Sequence, residues 1–508
     1  MGWWFSSIVV GSVSDPGKSW CAACRIGDPR VGQLLAAFAQ ACVMTEWGAR
    51  SAQRIVSGIE AFFVRHRHRL VWVHVLMFLA FVGLIFAPPL GAIPGPQDGL
   101  LDNYRLFANL LLWGLWFPLV FVSVIFTGRS WCGLLCPMGA ASEWANKKGL
   151  KRAIPAWLQW PGTPVVSFIV ITIWAQTLGA RDHAETSALL FGGVMAVAIV
   201  VGFVWGRNKR AWCRHACPIG LLLGVYSRLG MVDFRPKRLR EGGDAWTEAT
   251  ACPTMIDLKR KTETRHCIEC FRCVHPNTQG GLRLAVRRPG IEIEEIAGRN
   301  PNLSEVLFLF LGNGVALGGF LWLVLDNYQS FRLWLATSAI KSGWLWVGEP
   351  GPSWLMAVFP VEREVFRWVD FITITGYMVG WMVLSVIVMS LTTGASAWLA
   401  GRLGGARTWS RRFVELGYQI APVAMVSLVL GLGGELFSVL SLLGLSADDV
   451  RLVKSVLFAL GAVWSLWLGW RILAHQGVAS HVRFIPLAGG AVSITFVGAA
   501  WYPAVFSL

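Results

Sequence analysis

Apolar runs of bilayer length recur along this chain, and nothing else restricts its fold as strongly. Crossing the hydrocarbon takes about 20 predominantly apolar residues. Nine stretches qualify, at about 70–88, 106–126, 162–180, 186–205, 304–325, 371–397, 415–443, 453–472 and 484–506. The seventh is broken by Gly431 to Gly434 and is expected to kink or tilt. Only 15% of the 508 residues are charged, which suits no soluble chain of this length. The expected fold is an all-α polytopic membrane protein of about nine transmembrane helices. It divides into an N-terminal segment (1–69), a duplicated membrane core (70–221), a ferredoxin-like loop (222–303) and a five-helix region (304–508).

The net charge of +16 would suggest nucleic acid in a soluble protein, but in a membrane protein Lys and Arg gather in cytoplasmic loops. With the N-terminus inside, 37 of the 45 Lys and Arg residues face the cytoplasm, so nucleic acid is not expected as a partner. All 11 cysteines fall in the same inside segments. Disulfides belong to the oxidising side of a membrane. Grouped cysteines on the reducing side are read as metal ligands or redox thiols. The Trp-rich outside loop, about 326–370, reads as an interfacial hairpin.

Two segments repeat each other. "TGRSWCGLLCPMGA" (127–140) and "WGRNKRAWCRHACPIGL" (205–221) both carry Gly-Arg, a spacer and W-C-x3-C-P-[M/I]-G, each after a pair of spans. Such internal symmetry places a shared site at the repeat interface. Cys132, Cys136, Cys213 and Cys217 would cap one cluster there. Two exchanging dithiols, or transient binding of a soft metal ion, are the alternatives. Arg129, Arg207, Lys209, Arg210 and Arg214 would stabilise thiolate charge, although the positive-inside rule explains them equally well.

"RHCIECFRCVHP" (265–276) keeps the C-x2-C-x2-C spacing of bacterial ferredoxins but lacks the Cys-Pro that normally follows. Cys252 and Pro253 stand 15 residues upstream of Cys267. Cys252, Cys267, Cys270 and Cys273 thus make one thiolate set for a [4Fe–4S] cluster, with tetrahedral zinc as the alternative. Cys21, Cys24 and Cys42 are one ligand short unless His66, His68 or a partner completes them. His74, His475 and His481 find no evident opposite number for a haem, so none is expected. Glu435, charged inside a span, would take a proton from a quinol or pair with Lys454.

The paired "WCGLLCP" and "WCRHACP" loops followed by the triplet resemble the NosR/NapH group of polyferredoxin-like membrane proteins, over about residues 70–280. The resemblance implies electron-transfer roles for the eight cysteines 132, 136, 213, 217, 252, 267, 270 and 273. It also implies a prokaryotic inner membrane with clusters on the cytoplasmic face. Relatives carry two complete ferredoxin motifs, whereas this chain has ligands for one; its five C-terminal spans lie outside the common core. The expected function is electron transfer between the quinone pool and a partner redox subunit or cytochrome. A maturation factor for a respiratory metalloenzyme and a redox-sensing transporter are the rivals.

Overall fold

The computed structural model describes residues 54–95, 97–100, 102–236, 252–258, 260–274 and 282–506, with Glu435, Ser438, Ser441, Leu442 and Phe506 described by backbone alone. Cys21, Cys24, Cys42 and the side chain of Glu435 lie outside the described residues. In chain order the first repeat is α1 (Leu70–Phe86), α2 (Tyr104–Thr127) and α3 (Pro137–Lys148). The second is α4 (Thr163–Thr177), α5 (Ala184–Val204) and α6 (Pro218–Tyr226). Then come α7 (Leu303–Leu321), α8 (Asp326–Lys341), α9 (Trp368–Leu403) and α10 (Trp409–Leu432). The chain closes with α11 (Gly434–Leu442), α12 (Ala447–His475) and α13 (Phe484–Phe506).

Eight helices among the described residues are long and apolar enough to cross a membrane, one fewer than expected. The difference is the third run. Its helix, α4, has 15 residues, which at 1.5 Å per residue is about 22 Å against a hydrocarbon core of about 30 Å. Pro161 and Pro164 delay its start, and Gly179, at φ +59°, turns the chain soon after its end. The seventh run breaks as expected: α10 stops at Leu432 and α11 restarts at Gly434.

Helix α10 is the centre of the C-terminal half, 94% of its apolar window being buried against 22% for α12. Between apolar helices the hydrophobic effect supplies little attraction, so packing and interhelical hydrogen bonds carry the association. The bonds are present: Asn313 donates to Ser385 (3.4 Å), Trp501 to Ser427 (2.7 Å), and Thr392 and Ser493 share a 2.6 Å bond. At the hairpin between α7 and α9, Trp334, Trp344, Trp346 and Trp354 are exposed, as suits residues at a bilayer interface.

The loop after α6 contributes an antiparallel pair, β1 (Val232–Pro236) and β2 (Leu282–Val286). It has little apolar core of its own and is held by buried charge. Arg228, fully buried just after α6, pairs with Glu292 (2.8 Å), Glu305 at the start of α7 (2.9 Å) and Glu263 (3.2 Å). Arg287 adds Glu292 (2.6 Å), and Lys261 pairs with Asp233 (2.9 Å). Removing one partner from such a network leaves buried charge uncompensated. Arg228→Ala is therefore expected to destabilise the protein by about 3–5 kcal/mol. Arg451→Ala, which breaks only an exposed pair with Asp448, should cost about 1 kcal/mol or less. Thermal unfolding in detergent should separate the two variants clearly.

Candidate metal centre

The duplicated sequence folds into duplicated geometry. Trp131–Leu135 and Trp212–Ala216 are both single π-helical turns, closed by Cys136 N–H donating to the Trp131 carbonyl and Cys217 N–H to that of Trp212, each at 2.9 Å. Turns of this kind are frequent at functional sites. The second cysteine of each loop is extended (Cys136 φ −65°, ψ 115°; Cys217 φ −61°, ψ 121°) and caps the next helix, whose first residue is proline. Proline suits that position because the N–H it lacks would have no helical partner. In the first loop Cys136 Sγ also accepts from Gly139 N–H at 3.4 Å. A Cβ added at Gly139 would stand 3.4 Å from Cys213 Sγ, so the two loops meet there.

Two buried arginines fasten the arrangement. Arg210 donates to Glu143 of α3 (2.7 Å) and to the carbonyl of Cys132 (3.0 Å), so the second loop grips the first. Arg129 donates to the Arg265 carbonyl at 2.5 Å, and its other terminal nitrogen is 3.8 Å from Cys132 Sγ. Each stands three residues before the first cysteine of its loop. Aligning Gly-Arg in the sequence had set Arg207 opposite Arg129, but Arg207 is exposed and Arg210 is the buried counterpart. Burial alone would raise the Glu143 carboxyl, yet Arg210 and Arg272 outweigh it and hold the group at about 2. Glu143 thereby joins the repeat loops to the triplet, where Arg272 lies between Cys270 and Cys273.

Cys252, Cys267, Cys270 and Cys273 line one small cavity, together with Phe234, Lys261 and Phe271. Three non-glycine residues beside these cysteines take left-handed backbone: Met255 (φ +60°), Glu269 (φ +53°) and Phe271 (φ +57°). Each such residue costs of order 1 kcal/mol and persists only where the surroundings demand it. Here it bends the triplet around the cavity. Lys209 donates to the Cys252 carbonyl (2.8 Å) and Arg210 N–H to that of Pro253 (2.8 Å), which ties the upstream Cys-Pro to the second repeat loop. The first loop touches the triplet at Gly133, where a Cβ would fall 2.1 Å from the Ile268 carbonyl and 2.8 Å from Cys270 N. Only glycine permits that approach. His74 of α1 bonds the Gly133 carbonyl from the membrane side (3.1 Å).

Cys252, Cys267 and Cys273 are buried, and the other five cysteines are partly buried. Burial pushes Cys136 and Cys267 up to about 12 and Cys213 to about 11, and raises Cys217 and Cys273 further, with neighbouring cysteines adding to the shift. Around them Arg129 Nε, Arg210 Nη2, Arg214 Nη1 and Arg265 Nε are buried donors without a hydrogen-bond partner among the described residues. Buried donors of this kind call for an acceptor, and a thiolate-ligated, sulfide-bridged cluster provides one. Among the described residues no three His, Cys, Asp or Glu side chains converge as one metal ion requires. Four sulfurs on a single zinc, at 2.3 Å from it, would stand about 3.8 Å apart. The four ligands of a cubane bind separate irons and stand farther apart. The residues present therefore fit iron–sulfur clusters better than zinc.

High thiol pKa values also disfavour disulfide exchange, for which thiolate is the reactive form. A raised pKa leaves less thiolate at any pH below it. In iron-stripped protein at pH 8, Cys136, Cys213 and Cys267 should alkylate at least about tenfold more slowly than an ordinary thiol, approaching its rate only near pH 11–12. Ordinary rates, mapped by mass spectrometry, would favour the dithiol alternative.

A family described as a 4Fe-4S binding domain matches residues 109–156 and 188–240, segments that contain the two repeat loops and stop short of the triplet. An uncharacterized protein of Methanocaldococcus jannaschii is 24% identical over 186 residues, 35% of this chain and 71% of its own length. The Escherichia coli protein YccM, named for electron transport, is 25% identical over 211 residues, 35% of this chain and 55% of its own. The regulatory protein NosR of Pseudomonas aeruginosa is 23% identical over 197 residues, 34% of this chain and 27% of its own. The chain thus spans only about half of YccM and a quarter of NosR. No solved structure matches.

Proposed function

We propose that this chain, whose cysteine-bearing region is similar to YccM and NosR and matches a 4Fe-4S binding domain, carries electrons through two [4Fe–4S] clusters, between the quinone pool and a partner redox subunit. Cys132, Cys136, Cys213 and Cys217 would hold one cluster, and Cys252, Cys267, Cys270 and Cys273 the other. The observation that carries this reading is the contact at Gly133, where the loop of one cysteine set rests on the backbone of the other. Two sets sharing a wall suit passage of electrons from one to the next. When bound, each cluster supplies a one-electron carrier.

The chain's own groups set the conditions. Arg129 and Arg210 place fixed positive charge on the thiolates, which favours the more reduced, more negative state and raises the potential. Glu143 keeps Arg210 and Arg272 in position. The gathering of Lys and Arg in the segments that bear the cysteines supports a cytoplasmic placement of this face.

Anaerobic purification followed by iron and sulfide analysis tests the reading. About eight of each per chain are expected for two such clusters, falling to about four in Cys267→Ser. Zinc without sulfide would overturn it, and about four irons in the unaltered protein would leave one cysteine set to other chemistry. Reduction of the clusters by an added quinol tests the donor. A maturation factor would hold clusters that quinols leave oxidised.

A further inference from the structure

A mainly apolar cavity lies among the helices of the bundle, with Cys132, Cys136 and Cys217 among its lining residues. Helices α1, α2, α4, α5, α7 and α10 all contribute walls. Along α4 the lining runs from Phe168 to Gln176, about 12 Å at 1.5 Å per residue. Gln176 and Arg181 therefore stand well away from the cysteines. We propose that this cavity binds the ring and first isoprenoid units of a quinone, with Gln176 as a hydrogen-bond donor to a ring carbonyl.

The walls suit a flat apolar ring. Phe117 stacks on both Trp113 (5.2 Å, 22°) and Phe191 (5.7 Å, 25°), which also touch each other at 5.5 Å, so the three rings form one aromatic cluster in the wall. Gln176 is oriented for donation. Its Oε1 accepts from the Trp322 indole at 3.2 Å, so the amide Nε2 is left to donate. Gly319 also lines the cavity, and a Cβ there would stand 3.6 Å from Nε2, in van der Waals contact with the amide. At the same end the Arg181 guanidinium stands 5.5 Å from the Phe320 ring centroid and donates to the Gly431 carbonyl at 3.5 Å.

A haem fits less well, since it requires an axial ligand, and no histidine lines this cavity. A quinone needs one or two donors and an apolar slot, and this lining supplies Gln176 among mainly apolar and aromatic side chains. The inference rests on the proposed exchange with the quinone pool and adds where on the chain it takes place.

The test is photolabelling of the full-length protein, clusters in place, with an azido-quinone in nanodiscs. Label is expected on peptides from α4 and α7, displaced by excess ubiquinone or menaquinone but not by phospholipid. Gly319→Leu, which fills the space, and Gln176→Leu, which removes the donor, should each lower that labelling at least tenfold with iron content unchanged. Label elsewhere, label competed equally by phospholipid, or label indifferent to both substitutions would overturn the site. The map on unaltered protein decides even if a variant fails to fold. Quinol-driven cluster reduction, measured in parallel, separates the two claims. Labelling without reduction keeps the site and sinks the electron-exchange reading, whereas reduction with label elsewhere does the reverse.

Discussion

Arg129 and Arg210 are 3% and 1% exposed, and each reaches from its own repeat to a group outside it. Burying a guanidinium costs several kcal/mol unless its charge and its donors are met. Glu143 meets part of that demand for Arg210, and backbone carbonyls meet part for both. Arg129 Nε and Arg210 Nη2 have no hydrogen-bond partner among the described residues, and burial raises the Cys136 and Cys213 thiols of the two loops. Each side's unmet need is the other's supply. Deprotonated, metal-bearing sulfur would satisfy the cations, and the cations lower the cost of buried thiolate. The two π turns, the upstream Cys-Pro and the left-handed residues of the triplet all hold backbone in place around that exchange.

The same economy of contacts joins the two halves of the molecule. Residues 59–508 form one compact unit, and its two halves meet through charge on the loop side and through helix packing inside. Arg228 follows the second repeat and binds Glu305 at the start of α7, so the ferredoxin-like loop is clamped between repeat and C-terminal bundle. Helix α10, nearly enclosed by protein, then extends the core to the cavity wall at Leu428 and Leu432. The C-terminal helices, which carry no cysteine, are therefore part of the enclosure around the cysteine loops rather than an appendage.

Much of this was legible from residue patterns. Long apolar runs announce spans because an unpaired backbone cannot sit in hydrocarbon, and the Gly-rich stretch 431–434 correctly marked a break. Repetition of C-x3-C-P announced the paired loops. Helix α4 is shorter than its apolar run because composition does not record where prolines and a left-handed glycine end the helical backbone. Arg129 and Arg210 were visible only as members of a basic population. The usable signal was their shared place three residues before a cysteine, obscured by the more obvious Gly-Arg match at Arg207.

The sequence by itself determined the class of molecule, the existence of two matching cysteine loops and the spacing of the triplet with its displaced Cys-Pro. All three depend on local properties: hydropathy over one span, and ligand type at short spacing. Tertiary structure alone decided that Gly133 presses on Cys270, that Arg210 rather than Arg207 is the buried partner, and that an aromatic cavity stands behind the thiols. Those are relations between residues from 60 to 300 positions apart, set by how helices of fixed length pack, and no local pattern encodes them.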